Sequence, residues 1–141
     1  MVKQARVPHM AGYESIGEHY GFECAIASMP LYSQSKKLGV ECGTHNGYVY
    51  CPELFAEYDS DYWKLDEHVW VHGGLTYGDD GWVGFDTGHD VDNDVDWNRE
   101  AVIAETIELA KQLRCLAEGT EPEPRDVDLG IGKMFKIIFG E

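Results

Sequence analysis

Basic side chains are scarce in this chain. Its 141 residues include 11 Lys and Arg against 26 Asp and Glu, a formal net charge of -15. The deficit is local: residues 41–100 hold two basic side chains (Lys64 and Arg99) among fifteen acidic ones, whereas residues 1–40 hold four basic and three acidic. Phosphate contact needs clustered Lys and Arg, so direct nucleic-acid binding is disfavoured, and so is adhesion to an anionic membrane. No run approaches the roughly 20 apolar residues that cross a bilayer. The first residues lack the apolar core of a secretion signal, so a cytoplasmic location is expected. Cysteine is sparse too. Cys24, Cys42, Cys51 and Cys115 form no C-x-x-C pair and are expected to be reduced in that compartment. Also missing are a Gly-rich phosphate loop, a G-x-S-x-G nucleophile elbow and a catalytic-cysteine signature.

What is present indicates a folded globule. Hydrophobic residues make up 43% and aromatics 12%, enough for one modest core and too much for a disordered chain. The acidic middle suits solubility, cations, a basic protein partner, or mimicry of a nucleic-acid backbone.

Residues 1–20 show no period and read as an N-terminal arm, with a short helix as the alternative around Tyr13 and His19. Phe22, Cys24 and Ile26 alternate with Glu23, Ala25 and Ala27, which predicts a strand ended by Pro30. Residues 31–38 suit a helical turn, and 53–66 a short helix or a loop. Residues 40–52 predict a hairpin turning at Asn46-Gly47, with Cys42 opposite Cys51. Residues 67–77 and 82–87 predict a second hairpin around Gly78-Asp79-Asp80-Gly81. A bulge at Gly73-Gly74 would bring His72 and Asp86 to one face. Residues 99–118 carry a broad apolar stripe and predict the clearest helix, with Asp96 or Asn98 as N-cap and Gly119 as stop. The expected fold is α+β: a mainly antiparallel twisted sheet of two hairpins plus flanking strands, covered by one long C-terminal helix. Residues 21–118 would form that single domain. Residues 119–141 would form an acidic, Pro-containing linker and a C-terminal strand that docks, or binds a partner.

Four constellations could carry chemistry. His72, Asp86 and His89, with Asp92 close behind, are ligands that suit Zn, Mn or Fe, or a general base with its orienting group. With Gly73, Gly74, Thr76, Tyr77 and Trp82 they equally suit a ligand pocket, and as plain structure they would pin a bulged hairpin. The alternating carboxylates Asp90, Asp92, Asp94 and Asp96 resemble the start of a calcium loop. Val95 replaces the required Gly and Ala101 the required Glu, so an acidic lead-in to a helix dipole is the simpler reading. Cys42, His45 and Cys51, with Cys24 or another His, could hold zinc but lack the strong C-x-x-C spacing; Cys42 and Cys51 could form a disulfide outside the cytosol, and the simpler reading is two half-buried reduced thiols. Tyr48, Tyr50, Tyr58, Tyr62, Trp63, Trp70, Tyr77 and Trp82 suit stacking or an interface, or simply core.

The motifs Gly47-Tyr48-Val49, His72-Gly73-Gly74-Leu75-Thr76-Tyr77, the W-x-G-F-D-x-x-H-x-x-D stretch from Trp82 to Asp92, and the helix from Glu105 to Leu113 resemble a family of small phage and prophage proteins. The resemblance covers roughly residues 38–116. Asn46 stands where that family has Cys. It implies a viral accessory protein of the host cytoplasm. Such a protein would bind and block a component of a host defence system, as an acidic nucleic-acid mimic or as a sponge for a small nucleotide-like ligand. The mimic would use Asp79, Asp80, Asp90, Asp92, Asp94 and Asp96; the sponge would use the His72 pocket. No cofactor is required by either. The alternatives are a small metal-dependent hydrolase on His72, Asp86, His89 and Asp92, and a self-assembling virion component.

Overall fold

A computed structural model of the chain describes residues 12–30, 32–88 and 92–127. The elements are β1 (Glu14–His19), β2 (Phe22–Ser28), α1 (Tyr32–Lys37), β3 (His45–Tyr50), α2 (Pro52–Glu57), α3 (Tyr62–Asp66), β4 (Tyr77–Asp79), β5 (Trp82–Phe85) and α4 (Arg99–Ala117). The strands form one antiparallel sheet in the order β1-β2-β3-β5-β4. The expected α+β architecture with a long C-terminal helix is what the chain adopts.

Two tight turns organise it. His19 pairs with Phe22 and Asp79 with Trp82, so each hairpin turns on two residues. The turn residues Tyr20, Gly21, Asp80 and Gly81 all have positive φ, between 53° and 86°, the backbone that matches strand twist. Asp80-Gly81 is a readable signal. Tyr20-Gly21 is not, because Tyr seldom adopts positive φ. Hence residues 14–19, expected as arm or helix, instead form an edge strand.

The predicted turn at Asn46-Gly47 is overturned. Both residues lie inside β3, where Asn46 pairs with Ala27 and Gly47 with Ile26 on one side and Phe85 on the other. Each has a tertiary duty that mimics a turn signature. A Cβ on Gly47 would stand 2.1 Å from Thr106 Oγ1 and 2.5 Å from a Phe85 ring carbon, so glycine lets α4 approach the strand. The Asn46 side-chain oxygen accepts from Thr87 N–H at 3.1 Å. The second hairpin is shorter than expected, because residues 67–76 form no strand before β4.

One sheet face carries Cys24, Ile26, Val49, Val83 and Phe85. Leu54 and Phe55 of α2, Leu65 of α3, and Val102, Leu109, Ala110 and Leu113 of α4 pack against them. Fully burying one such aliphatic side chain stabilises by ~1.5–3 kcal/mol. Asn98 begins α4, its side-chain oxygen accepting from Ala101 N–H at 2.9 Å, and Gly119 at φ 84° follows its end. The opposite face carries a smaller cluster of Ala25, Ala27, Tyr48 and Trp82, flanked by Tyr50 and Tyr77.

Candidate functional site

The apolar stripe of α4 is interrupted by Glu105, Glu108 and Gln112. Their spacing puts them in one row. That row faces residues 69–72, which pair with no strand among the described residues and must satisfy their backbone otherwise. Gln112 acts as a surrogate strand: its oxygen accepts from Trp70 N–H at 2.6 Å and its NH₂ donates to Trp70 C=O at 2.9 Å. The Glu105 carboxylate accepts from His72 N–H at 2.9 Å. Arg125, in the Pro-containing segment after α4, clamps the same carboxylate in bidentate fashion at 2.9 and 2.8 Å and also donates to Trp70 C=O at 2.7 Å.

The His72 side chain continues this network. Its Nε2 lies 2.8 Å from Asp92 Oδ1, and its ring stacks on Trp97 at 4.1 Å between centroids. His72 is 4% exposed and Asp92 2%. Gly73 and Gly74, with φ of 69° and 78°, bend the chain beyond it, and Asp66 then accepts from Leu75 N–H at 2.7 Å. An imidazole paired with a carboxylate has the makings of a general base. Here the pair is enclosed, one ring face is covered by indole, and the neighbouring backbone is bound to Glu105. The arrangement pins residues 69–76 and the approach to α4 onto the sheet. A satisfied buried network of this kind specifies one packing.

The sequence motif is thus partly assembled and partly not. His72 meets Asp92, not Asp86. Strand parity aims Asp86 with Trp82 and Gly84, away from α4. Its carboxylate accepts from Gly88 N–H at 3.3 Å, and its charge adds to the burial that pushes the Tyr48 hydroxyl up to about 12. Trp82 is fully buried in the second cluster, Tyr77 lies edge-on to Tyr48 at 5.4 Å, and Thr76 is exposed. His89 and Asp90 lie outside the described residues, as does the segment 128–141 that was expected to dock as a strand. Among the described residues, no three His, Cys, Asp or Glu side chains converge to hold a metal. Cys42 and His45 do not face Cys51 across a hairpin, since all three sit on or beside one strand. The four cysteines are free thiols, and burial pushes Cys24 and Cys51 up to about 12.

The acidic residues divide between two ends of the sheet. Asp79 and Asp80 are exposed at the β4–β5 turn, near the last residues of β3. Asp94 and Asp96 follow β5, near the start of β3, so a strand length of roughly 20 Å separates the groups. Asp94 accepts from Tyr32 and Lys36, both at 2.7 Å, which keeps its carboxyl below the usual range. Asp96 accepts from Asn93 at 2.9 Å. Asn93 also caps Val95 and Asp96 N–H groups, so residues 93–96 form a turn leading into α4. Beside Asp79 and Asp80 lies a shallow cavity of about 300 Å³, lined by Tyr50, Pro52, Phe55, Ser60, Gly78 and Gly81. The strongest network residues (Glu105, Gln112, Trp97 and Arg125) were invisible as a site. A polar row inside an apolar helix stripe, and a lone Arg in an acidic linker, were the signals. No family model, curated protein or solved structure matches the chain.

Proposed function

We propose that this is a non-catalytic, phage-type accessory protein that binds and blocks a basic component of a host defence system. Its contact surface is the acidic end of the fold around the β4–β5 turn. The observation that carries this reading is the packing of the α2–α3 segment against that turn. Gly78 sits where a Cβ would touch Phe55 and Tyr62, and Ser60 shares the surface cavity with Asp79 and Asp80. Glu53, Asp59 and Asp61 thereby join Asp79 and Asp80. The cation among them, Lys64, is paired with Asp59. Trp63, 64% exposed, stands beside these carboxylates. Aromatic anchors ringed by charge suit a basic partner, with the field guiding encounter and the indole supplying contact area. The internally satisfied His72 network favours binding over turnover.

The test is affinity capture, without cross-linking, of partners from bacterial cells expressing the tagged full chain. The captured protein should be basic. It should be released at about 0.5 M salt, where screening shortens to a few ångströms. It should be lost with the D79K/D80K variant and retained with D94K/D96K. Equal retention by D79K/D80K would remove this surface from the reading.

A further inference from the structure

Helix α1 contributes nothing to the core. None of its six residues is buried, and it belongs to neither apolar cluster. A helix this short does not hold itself in water. Polar contacts hold it instead: Tyr32 N–H donates to Met29 C=O at 3.2 Å, and the Tyr32 hydroxyl and the Lys36 ammonium both reach Asp94 at 2.7 Å. Because α1 does not pack down, a gap of about 430 Å³ remains between its first turn and the ends of β2 and β3, where Ser28 pairs with His45. Small-molecule sites occupy ~300–1,000 Å³.

The gap is neutral. In a chain with 26 acidic side chains, no Asp, Glu, Lys or Arg among the described residues lines it. Tyr32 and Met29 supply its apolar wall, and Ser33, Gln34 and Thr44 add hydroxyls and an amide. The Lys36 ammonium stands 5.7 Å from the centroid of the Tyr32 ring, yet Lys36 does not line the gap, so the gap meets the ring away from that charge. His45 is uncharged at neutral pH, because burial lowers its pKa. Its Nδ1 lies 2.8 Å from Thr44 Oγ1, and Thr44 donates to Trp97 C=O at 3.4 Å. The hydroxyl therefore accepts, Nδ1 carries the ring proton, and Nε2 is left as an acceptor.

We propose that this gap binds an uncharged nucleoside, gripped by its base. A flat heterocycle stacks on the Tyr32 ring and lies against the polarizable Met29 sulfur. The Gln34 amide offers a donor and an acceptor together, the pair that reads a base edge, and His45 Nε2 takes a base N–H. The net charge of -15 repels phosphate, which selects the nucleoside over the nucleotide. The gap lies at the start of β3, at the end of the sheet remote from the β4–β5 turn. It is therefore separate from the acidic contact surface.

The experiment is a titration of the isotope-labelled full chain with adenosine, guanosine, cytidine and uridine, read by amide shifts in NMR. At least one should shift the amides of Ser28, Met29, Ser33, Gln34, Thr44 and His45 to saturation. Its monophosphate should bind about tenfold more weakly or worse, and glucose should not bind. Q34A, at an exposed position, keeps the fold and should weaken binding about three- to tenfold. Y32F keeps the ring and should bind as the parent does, whereas Y32L should lose about tenfold or more. D79K/D80K should bind as the parent does, whatever becomes of the partner surface. No saturable shift with any of the four nucleosides would overturn the proposal. So would shifts that map elsewhere, equal binding of the monophosphate or of glucose, parent-like binding by Q34A, or loss of binding in D79K/D80K.

Discussion

Replacing Glu105 by Gln tests whether the buried polar bridge holds residues 69–72 in place. The substitution keeps the shape and removes the charge. Glu105 accepts three hydrogen bonds, from His72 N–H at 2.9 Å and from the two Arg125 nitrogens at 2.9 and 2.8 Å. Every partner is a donor. A glutamine must therefore turn its NH₂ toward a donor, and the better orientation still loses one bond to the guanidinium. A hydrogen bond to a charged group contributes ~1.5–3 kcal/mol. Breaking a fully buried ion pair costs more, ~3–5 kcal/mol. The Arg125 side chain is 28% exposed, so water recovers part of that, and we expect a loss of about 2–3 kcal/mol. For a domain of this size the midpoint of thermal unfolding should fall by roughly 10 °C. Urea unfolding should show a lower midpoint with an unchanged slope. Glu108→Gln is the control: its oxygen lies 4.0 Å from Arg125, so its effect should stay within about 0.5 kcal/mol. A double-mutant cycle with Arg125→Met should recover most of the Glu105 effect as coupling. An E105Q loss no greater than the E108Q loss would refute the account.

Three further outcomes follow from the same geometry. Burial, aided by the charge of Arg99, lowers the pKa of His45 below its ordinary 6.5. Its neutral form is thus favoured by folding, and its stabilisation is present above that value and lost as pH falls through the lower folded one. Proton NMR titration should place His45 below 6.5, and H45Q should flatten the acid side of the stability profile. With thiols pushed up to about 12, Cys24 and Cys51 should resist alkylation at neutral pH in the folded protein. The half-buried Cys42 and Cys115 should label first, and mass mapping of the labelled peptides would read the order. Gly47→Ala should destabilise by ~1–3 kcal/mol through overpacking against Thr106 and Phe85; chemical denaturation measures it, and a neutral result would mean that α4 does not pack closely on β3.

Where local signals and tertiary roles agreed, the fold was legible. The alternation of Phe22, Cys24 and Ile26 makes β2, Asp80-Gly81 makes a two-residue turn, and the stripe of residues 99–118 makes α4 with Asn98 and Gly119 at its ends. These features depend on backbone preference and on the period of a single element, which neighbouring residues carry by themselves. Asn46-Gly47 misled because both residues serve contacts far away in the chain: one binds Thr87, the other admits Thr106. The same separation hid the polar network. His72, Asp92, Glu105 and Arg125 span more than fifty positions, and which carboxylate reaches the imidazole depends on how α4 and the segment before it settle on the sheet. The amino-acid order alone determined an acidic, single-sheet α+β chain with one dominant helix. Only packing in three dimensions decided that Asp92 rather than Asp86 pairs with His72, that the acidic residues fall at two ends, and that one sheet face is buried beneath none of the described helices. Partner choice among distant groups is a property of the assembled core, and no local pattern encodes it.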